Sequence, residues 1–127
     1  MIFGMGLDVA EIDRIRDSLT LFGARFTARV LTPAEAEAMP TNDPAPYVAA
    51  RFAAKEACAK ALGTGFAQGV TMRSIEVRSL PSGAPSLVLF GRARELADEM
   101  GATRLHLSLT HGRDVAAAVV ILEGPPL

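Results

Sequence analysis

The chain has one cysteine, Cys58, no tryptophan and a single tyrosine among its 127 residues. One cysteine excludes an intramolecular disulfide framework and fits a reducing compartment, so the cytoplasm is the expected location. Charge of one sign is also lacking: 13 Lys and Arg stand against 14 Asp and Glu, a net charge of −1. A chain that coats nucleic acid needs a basic excess, so no nucleic-acid partner is expected. The longest apolar run, Val115 to Leu122, has eight residues, against the roughly 20 that span a bilayer, so no membrane partner is expected either. The first residues carry no basic stretch followed by a long apolar one, as a signal peptide would. Cysteine pairs, a His-Glu-x-x-His motif, a nucleophile elbow, internal repeats and low-complexity tracts are all missing. What is present is 50% hydrophobic and 21% charged, the balance of one globular domain over residues 1–127.

The most organised stretch is Arg51-Phe-Ala-Ala-Lys-Glu-Ala-Cys-Ala-Lys-Ala-Leu-Gly-Thr-Gly65. Alanine, leucine, lysine and glutamate favour a helix, and Gly63 suits the position that ends one. Arg51 and Lys55 stand four apart, as do Glu56 and Lys60. Two readings are open for the second pair. It is a solvated ion pair on an ordinary helix, or it holds a metal ion and phosphates just before the Gly63-Thr64-Gly65 loop. That loop, with Gly69, is a candidate phosphate cradle, since glycine lets backbone N–H groups approach anions. It is no Walker loop, because the lysine precedes the glycines. Cys58 reads as a small buried thiol.

Ile2 to Val9 alternates as a strand, with Phe3, Met5, Leu7 and Val9 expected on the core face. Gly4, Gly6 and Asp8 occupy a bare second face, where another backbone or a ligand would come close. Asp8 either projects from the strand end or caps the next helix. Ile12, Ile15, Leu19 and Phe22 mark a helical stripe over Glu11 to Phe22, stopped by Gly23. Arg14 and Arg16 lie off that stripe, and Arg25 and Arg29 flank Phe26. These residues form either a solvated face or a dock for an acidic protein. Thr32-Pro-Ala-Glu35 is a capping box opening a short helix from Pro33 to about Met39. Pro40 to Pro46 breaks it, and Asp43-Pro44 can start the main helix, which runs through Leu62.

Ile75 to Leu80 and Ser86 to Phe90 read as strands joined by the turn around Gly83 and Pro85. A polar helix follows from Arg92 to Met100. Arg104 to Thr110 alternates, with Leu105, Leu107 and Leu109 inward and His106, Ser108 and Thr110 outward. His111 begins the turn into Val115 to Leu122, a buried strand. The tail from Gly124 is expected to fray.

Four segments together point further. Gly-Met-Gly-Leu-Asp-Val-Ala-Glu-Ile-Asp-Arg-Ile near the start, Phe26-Thr-Ala-Arg-Val-Leu-Thr-Pro-Ala-Glu35, the Arg51 to Gly65 helix, and His-Leu-Ser-Leu-Thr-His near the end stand in this order. They resemble the holo-[acyl-carrier-protein] synthases, the small single-domain branch of the 4′-phosphopantetheinyl transferases, nearly end to end. The resemblance implies an α+β fold, a mainly antiparallel sheet packed on a long central helix. It implies transfer of 4′-phosphopantetheine from coenzyme A to a serine of apo acyl carrier protein, releasing 3′,5′-ADP and serving fatty acid biosynthesis.

Residue by residue, the resemblance implies that Asp8 and Glu56 hold Mg²⁺ and that Lys60 meets the pyrophosphate. Arg51, Gly63, Thr64, Gly65, Gly83, Pro85, Ser108, Thr110 and His111 would contact coenzyme A. Arg14, Phe22, Arg25, Phe26 and Arg29 would receive the acidic carrier. The serine proton would pass to Glu56 or to a water that Glu56 orients on the metal. The resemblance further implies a homotrimer with sites between subunits, and faces bearing Gly4, Gly6, Ser108 and Thr110 suit such close contact. Gly112 departs from the small hydroxyl residue of many relatives, and Pro40 to Pro46 is richer in proline than theirs. Two other readings are a non-catalytic trimer that binds coenzyme A or a carrier, and a metal-dependent nucleotide phosphohydrolase. The latter would need more metal ligands.

Overall fold

In a computed structural model that describes residues 1–127, the chain runs β1 (Ile2–Glu11), α1 (Ile12–Phe22), α2 (Ala24–Val30), α3 (Pro33–Glu37) and α4 (Ala45–Leu62). It continues through β2 (Ile75–Ser79), β3 (Pro85–Leu89), α5 (Gly91–Met100), β4 (Arg104–His111) and β5 (Val115–Glu123). The strands β1, β5 and β4 form one antiparallel sheet in that order, and β2 and β3 form a separate antiparallel pair. The three-stranded sheet packs on α4, giving the expected α+β architecture. The expected elements fall within a residue or two of their places. Glycine at positive φ ends α1, α4 and α5, at Gly23, Gly63 and Gly101. The segment after Gly23 is a helix of its own, α2, where the sequence shows only two arginines around a phenylalanine.

The face of β1 is the reverse of the expected one. Met5, Leu7 and Val9 are exposed at 62%, 62% and 57%, whereas Gly6 and Ala10 are buried. The cause is α4. Its alanines 49, 53, 57 and 61 are buried, and they let the helix lie almost on the backbone of β1. A Cβ built on Gly4 would stand 2.1 Å from the Ala61 carbonyl oxygen, and one on Gly6 would stand 1.9 Å from that of Ala57. Only glycine fits at this separation, so the larger side chains take the other face. Alternation with period two separates the faces without saying which is buried. Thus the close approach expected of Gly4 and Gly6 occurs inside the chain, against its own helix.

In register, Leu7 lies opposite Val119 and Ser108 opposite the same residue, while Met5 and His106 flank Ile121. The outer face of the sheet is therefore a continuous, largely apolar surface, edged by His106, Ser108 and Thr110. Its inner face carries Ala116, Ala118, Val120 and Leu122, all buried, with Leu105, Leu107 and Leu109 beside them.

The capping box forms as expected: the Glu35 N–H donates to the Thr32 hydroxyl, and the Thr32 N–H to the Glu35 carboxylate. The tail is only partly free. The Gly124 N–H donates to the Met1 carbonyl, and a Cβ on Gly124 would stand 1.9 Å from the Gly101 oxygen. Cys58 is fully buried, and burial pushes its thiol up to about 12, so it is packing and not a nucleophile. No helix is long and apolar enough to cross a membrane.

Candidate active site

Asp8 and Glu56 come together because β1 lies so close to α4. Asp8 pairs with Ala118 of β5, which places its side chain on the helix side of the sheet. The Lys60 ammonium donates to Asp8 Oδ1 at 3.0 Å and to the Leu7 carbonyl at 3.1 Å. Asp8 is therefore no helix cap: Glu11 holds that position in α1, without a side-chain bond. Lys60 pairs across to the strand and not with Glu56 one turn before it.

The Glu56 carboxyl is held above its ordinary range, by burial first and by the Asp8 carboxylate second, against the lowering effect of Lys60. A half-buried carboxylate beside another carboxylate is a site short of positive charge. Two carboxylates and no third ligand suit a hard cation that keeps waters and also binds substrate phosphates, as Mg²⁺ does.

Glu56 also lines a pocket of about 730 Å³ between α2, α4 and the segment Val70–Arg73. Phe26, Phe52, Phe66, Val70 and Met72 make it mainly apolar, and Arg29 and Arg73 stand at its walls. Phe26 and Phe52 continue into a second hollow, about 310 Å³, with Val9, Glu11, Arg14 and Ile15. Phe22, Arg25, Phe26 and Arg29 line a third, about 280 Å³. The five expected docking residues thus form one surface that opens toward Glu56. Phe22 ends the apolar stripe of α1 but is 54% exposed, so it belongs to this surface and not to the core. Arg16 does not: it pairs with Asp13 and Asp43, while Arg14, Arg25 and Arg29 form no ion pair. The sequence reading missed Phe66, Val70, Met72 and Arg73. The one available signal was the spaced glycines Gly63, Gly65 and Gly69 ahead of Val70, which gives no direction.

At the start of the glycine loop the backbone donors are already engaged. The N–H groups of Gly63, Thr64 and Gly65 all donate to the carbonyls of Ala59 and Lys60, closing the last turn of α4. The space around Gly63 and Gly65 is open, so ligand contact there would have to use side chains or other backbone.

The remaining expected residues lie apart from Asp8 and Glu56. Ser108 and Thr110 are exposed on the outer face of the sheet, His111 ends β4, and Gly83 and Pro85 belong to the β2–β3 hairpin. Arg51 stacks its guanidinium 3.8 Å over the Tyr47 ring, and its buried Nε has no partner. An orphaned buried N–H is costly, and an anion or a neighbouring chain would satisfy it.

The 4′-phosphopantetheinyl transferase superfamily matches residues 4–120 of this chain. A holo-[acyl-carrier-protein] synthase of Maridesulfovibrio salexigens is 58% identical over 97% of this chain and 99% of its own. The crystal structure of the holo-[acyl-carrier-protein] synthase of Neisseria meningitidis superposes with a TM-score of 0.88 at 38% identity, covering 97% of this chain and 99% of that one. The Helicobacter pylori holo-[acyl-carrier-protein] synthase, solved in complex with coenzyme A, superposes with a TM-score of 0.83 at 30% identity, over 94% and 99% of the two chains.

Proposed function

Because the chain belongs to the 4′-phosphopantetheinyl transferase superfamily, we propose that it acts as a holo-[acyl-carrier-protein] synthase through the site at Asp8, Glu56 and Lys60. It transfers 4′-phosphopantetheine from coenzyme A to a serine of apo acyl carrier protein, for fatty acid biosynthesis. The observation that carries the site assignment is the meeting of Asp8, Glu56 and Lys60 beside an apolar pocket and an arginine-lined surface.

Asp8 and Glu56 would hold Mg²⁺, which when bound neutralises charge on the pyrophosphate as the phosphorus–oxygen bond breaks. Lys60 presents its ammonium to the same phosphates, leaving Asp8 to the metal. The carrier serine oxygen attacks the phosphorus that bears the pantetheine arm, and the bond to 3′,5′-ADP breaks. The serine proton would pass to Glu56 or to a water that Glu56 orients. Phosphoryl transfer depends mainly on positioning and charge neutralisation, so a modest base is sufficient. Arg14, Arg25 and Arg29 receive the acidic carrier, with Phe22 and Phe26 between them. The pocket walls at Phe26, Phe52 and Phe66 suit the uncharged arm.

The outer sheet face supports a homotrimer. Met5, Leu7 and Val9 form an exposed apolar face with the half-buried Val119 and Ile121, a contiguous patch of the kind that marks a protein contact. Ser108, Thr110, His111 and Arg51 would then meet coenzyme A held by a neighbouring copy, at sites between subunits. The single buried thiol accords with a cytoplasmic location. Leu7→Glu is expected to give monomers by light scattering and to lose transfer activity. A trimer of unchanged mass would remove this face from the interface.

The direct test is to incubate the protein with coenzyme A, Mg²⁺ and apo carrier, then weigh the carrier. A gain of one phosphopantetheine arm is expected; unchanged carrier with released phosphate would indicate a hydrolase instead. In the same assay Arg14→Glu is expected to raise the KM for carrier by about tenfold, as for loss of a charge pair of ~1.4 kcal/mol, with the KM for coenzyme A unchanged. An equal rise in both would remove α1 from the docking surface.

A further inference from the structure

Next to Glu56 on α4 is a charge that the transfer chemistry does not use. Lys55 is fully buried. Its ammonium donates to the Val30 carbonyl at 2.7 Å, to Glu35 Oε1 at 2.6 Å and to the Met72 carbonyl at 3.0 Å. Three N–H donors meet three acceptors, so the group is saturated. Glu35 is equally occupied. Its Oε1 also accepts the Thr32 N–H, and its Oε2 accepts the Val77 N–H, both at 2.8 Å. The Thr32 hydroxyl in turn donates to the buried Glu76.

Stability is a weak reason for this cluster. Desolvation of two charges offsets most of their attraction, and well-packed apolar residues often do as well. Burial indeed pulls the Lys55 ammonium below its ordinary range despite Glu35 and Glu76. The acceptors suggest another reason. Val30 is the last residue of α2, which carries Arg25, Phe26 and Arg29. Met72 opens the short 3₁₀ turn Met72–Ser74. Val30, Met72 and Glu56 all line the 730 Å³ pocket. One ammonium therefore ties both walls of that pocket to the helix turn that bears Glu56.

We propose that Lys55 is a positioning residue for the transfer reaction: it sets the separation of the two pocket walls beside Glu56 and holds α2 at its carrier-binding angle. This rests on the roles given above to Glu56 and α2. A neutral side chain would leave both carbonyls without their common donor, and the walls would drift. The reaction would suffer more than the fold, since misplacement by about 1 Å can cost 10²-fold in rate.

The test compares three proteins. Lys55→Met/Glu35→Gln removes both charges together and leaves no orphaned carboxylate. Glu35→Gln alone weakens the ion pair but leaves Lys55 on Val30 and Met72. The wild type serves as the reference. Each is assayed for urea unfolding, 3′,5′-ADP binding by calorimetry, and steady-state transfer to apo carrier. The double variant is expected to unfold cooperatively and to bind 3′,5′-ADP within about threefold of wild type, with kcat/KM for carrier down about 10²-fold. Glu35→Gln is expected to lose stability while keeping wild-type kcat and KM. Wild-type kinetics in a folded double variant would overturn the proposal, as would equal kinetic losses in both variants, because activity would then follow stability. If the double variant does not fold, Lys55→Gln/Glu35→Gln takes its place with the same criteria, because the shorter amide stops short of the ammonium position and cannot tie both walls together. Failure of the wild type to modify the carrier would instead overturn the functional reading.

Discussion

Gly6→Ala, a change of one methyl group, is expected to lower the unfolding free energy by about 3 kcal/mol, the upper end for overpacking. The added carbon would stand 1.9 Å from the Ala57 carbonyl oxygen and 2.8 Å from its carbon. These are backbone atoms inside a helix, so no rotamer change relieves the clash. Either β1 or α4 must move, and the whole inner face of the sheet packs on that helix. For a domain of this length the melting temperature should fall by about 10 °C. Transfer activity should fall further than the remaining folded fraction explains, because Asp8 is two residues along the strand from Gly6 and would be displaced from Glu56. Gly112→Ala is the control. Nothing lies within 4 Å of its added carbon, and the change is expected to stay within about 0.5 kcal/mol. A Gly6→Ala protein with wild-type urea midpoint would mean that the helix does not rest on the strand as described.

Glu56→Gln is expected to lower turnover by about 10²–10⁴-fold, the usual range for a proton acceptor, with the fold intact. Its stability should move the other way in metal-free buffer. The Glu56 carboxyl has a folded-state pKa raised above the ordinary carboxylate value, through burial and then Asp8. A group raised in this sense favours the fold while protonated. That contribution is lost as pH rises from the unfolded value through the folded one. Glutamine cannot ionise, so at neutral pH the variant should melt no lower than wild type and should lack the loss on raising pH. With Mg²⁺ the order should reverse. Cation at 100 times its Kd would stabilise wild type by about 2.7 kcal/mol, and the variant by much less. Thermal melts across pH, with and without Mg²⁺, read both effects. Near-wild-type turnover with an unchanged Mg²⁺ response would sink the role given to Glu56.

Much of the fold was legible in the residues. Period-two and helical stripes located the strands and helices, and Gly23, Gly63 and Gly101 located their ends, because local propensity and capping act over a few neighbours. Thr32 and Glu35 announced a capping box, and it forms. The pairing of Asp8 with Glu56 was legible only through resemblance, since nothing local links residues so far apart in the chain. The face of β1 was misjudged for a physical reason. Met5, Leu7 and Val9 are the apolar residues, but the face of α4 against Gly4 and Gly6 is alanine, lying so close that it leaves room for glycine alone.

Three features depended on how the elements pack. The N–H groups of Gly63, Thr64 and Gly65 could have faced an anion, and the last carbonyls of α4 took them. Arg14, Arg25 and Arg29 could have been a solvated face, and the turn at Gly23 brought them around Phe26, beside the pocket at Glu56. Lys55 read as half of an i, i+4 pair with Arg51 and became the buried donor beneath the pocket. Sequence patterns report which residues prefer water and which turns are permitted, because those energies arise within a few residues. Which face is buried, which donor meets which acceptor, and which charges share a cleft depend on separations between elements. In this protein those separations follow from how closely an alanine helix can approach a strand with glycine at positions 4 and 6.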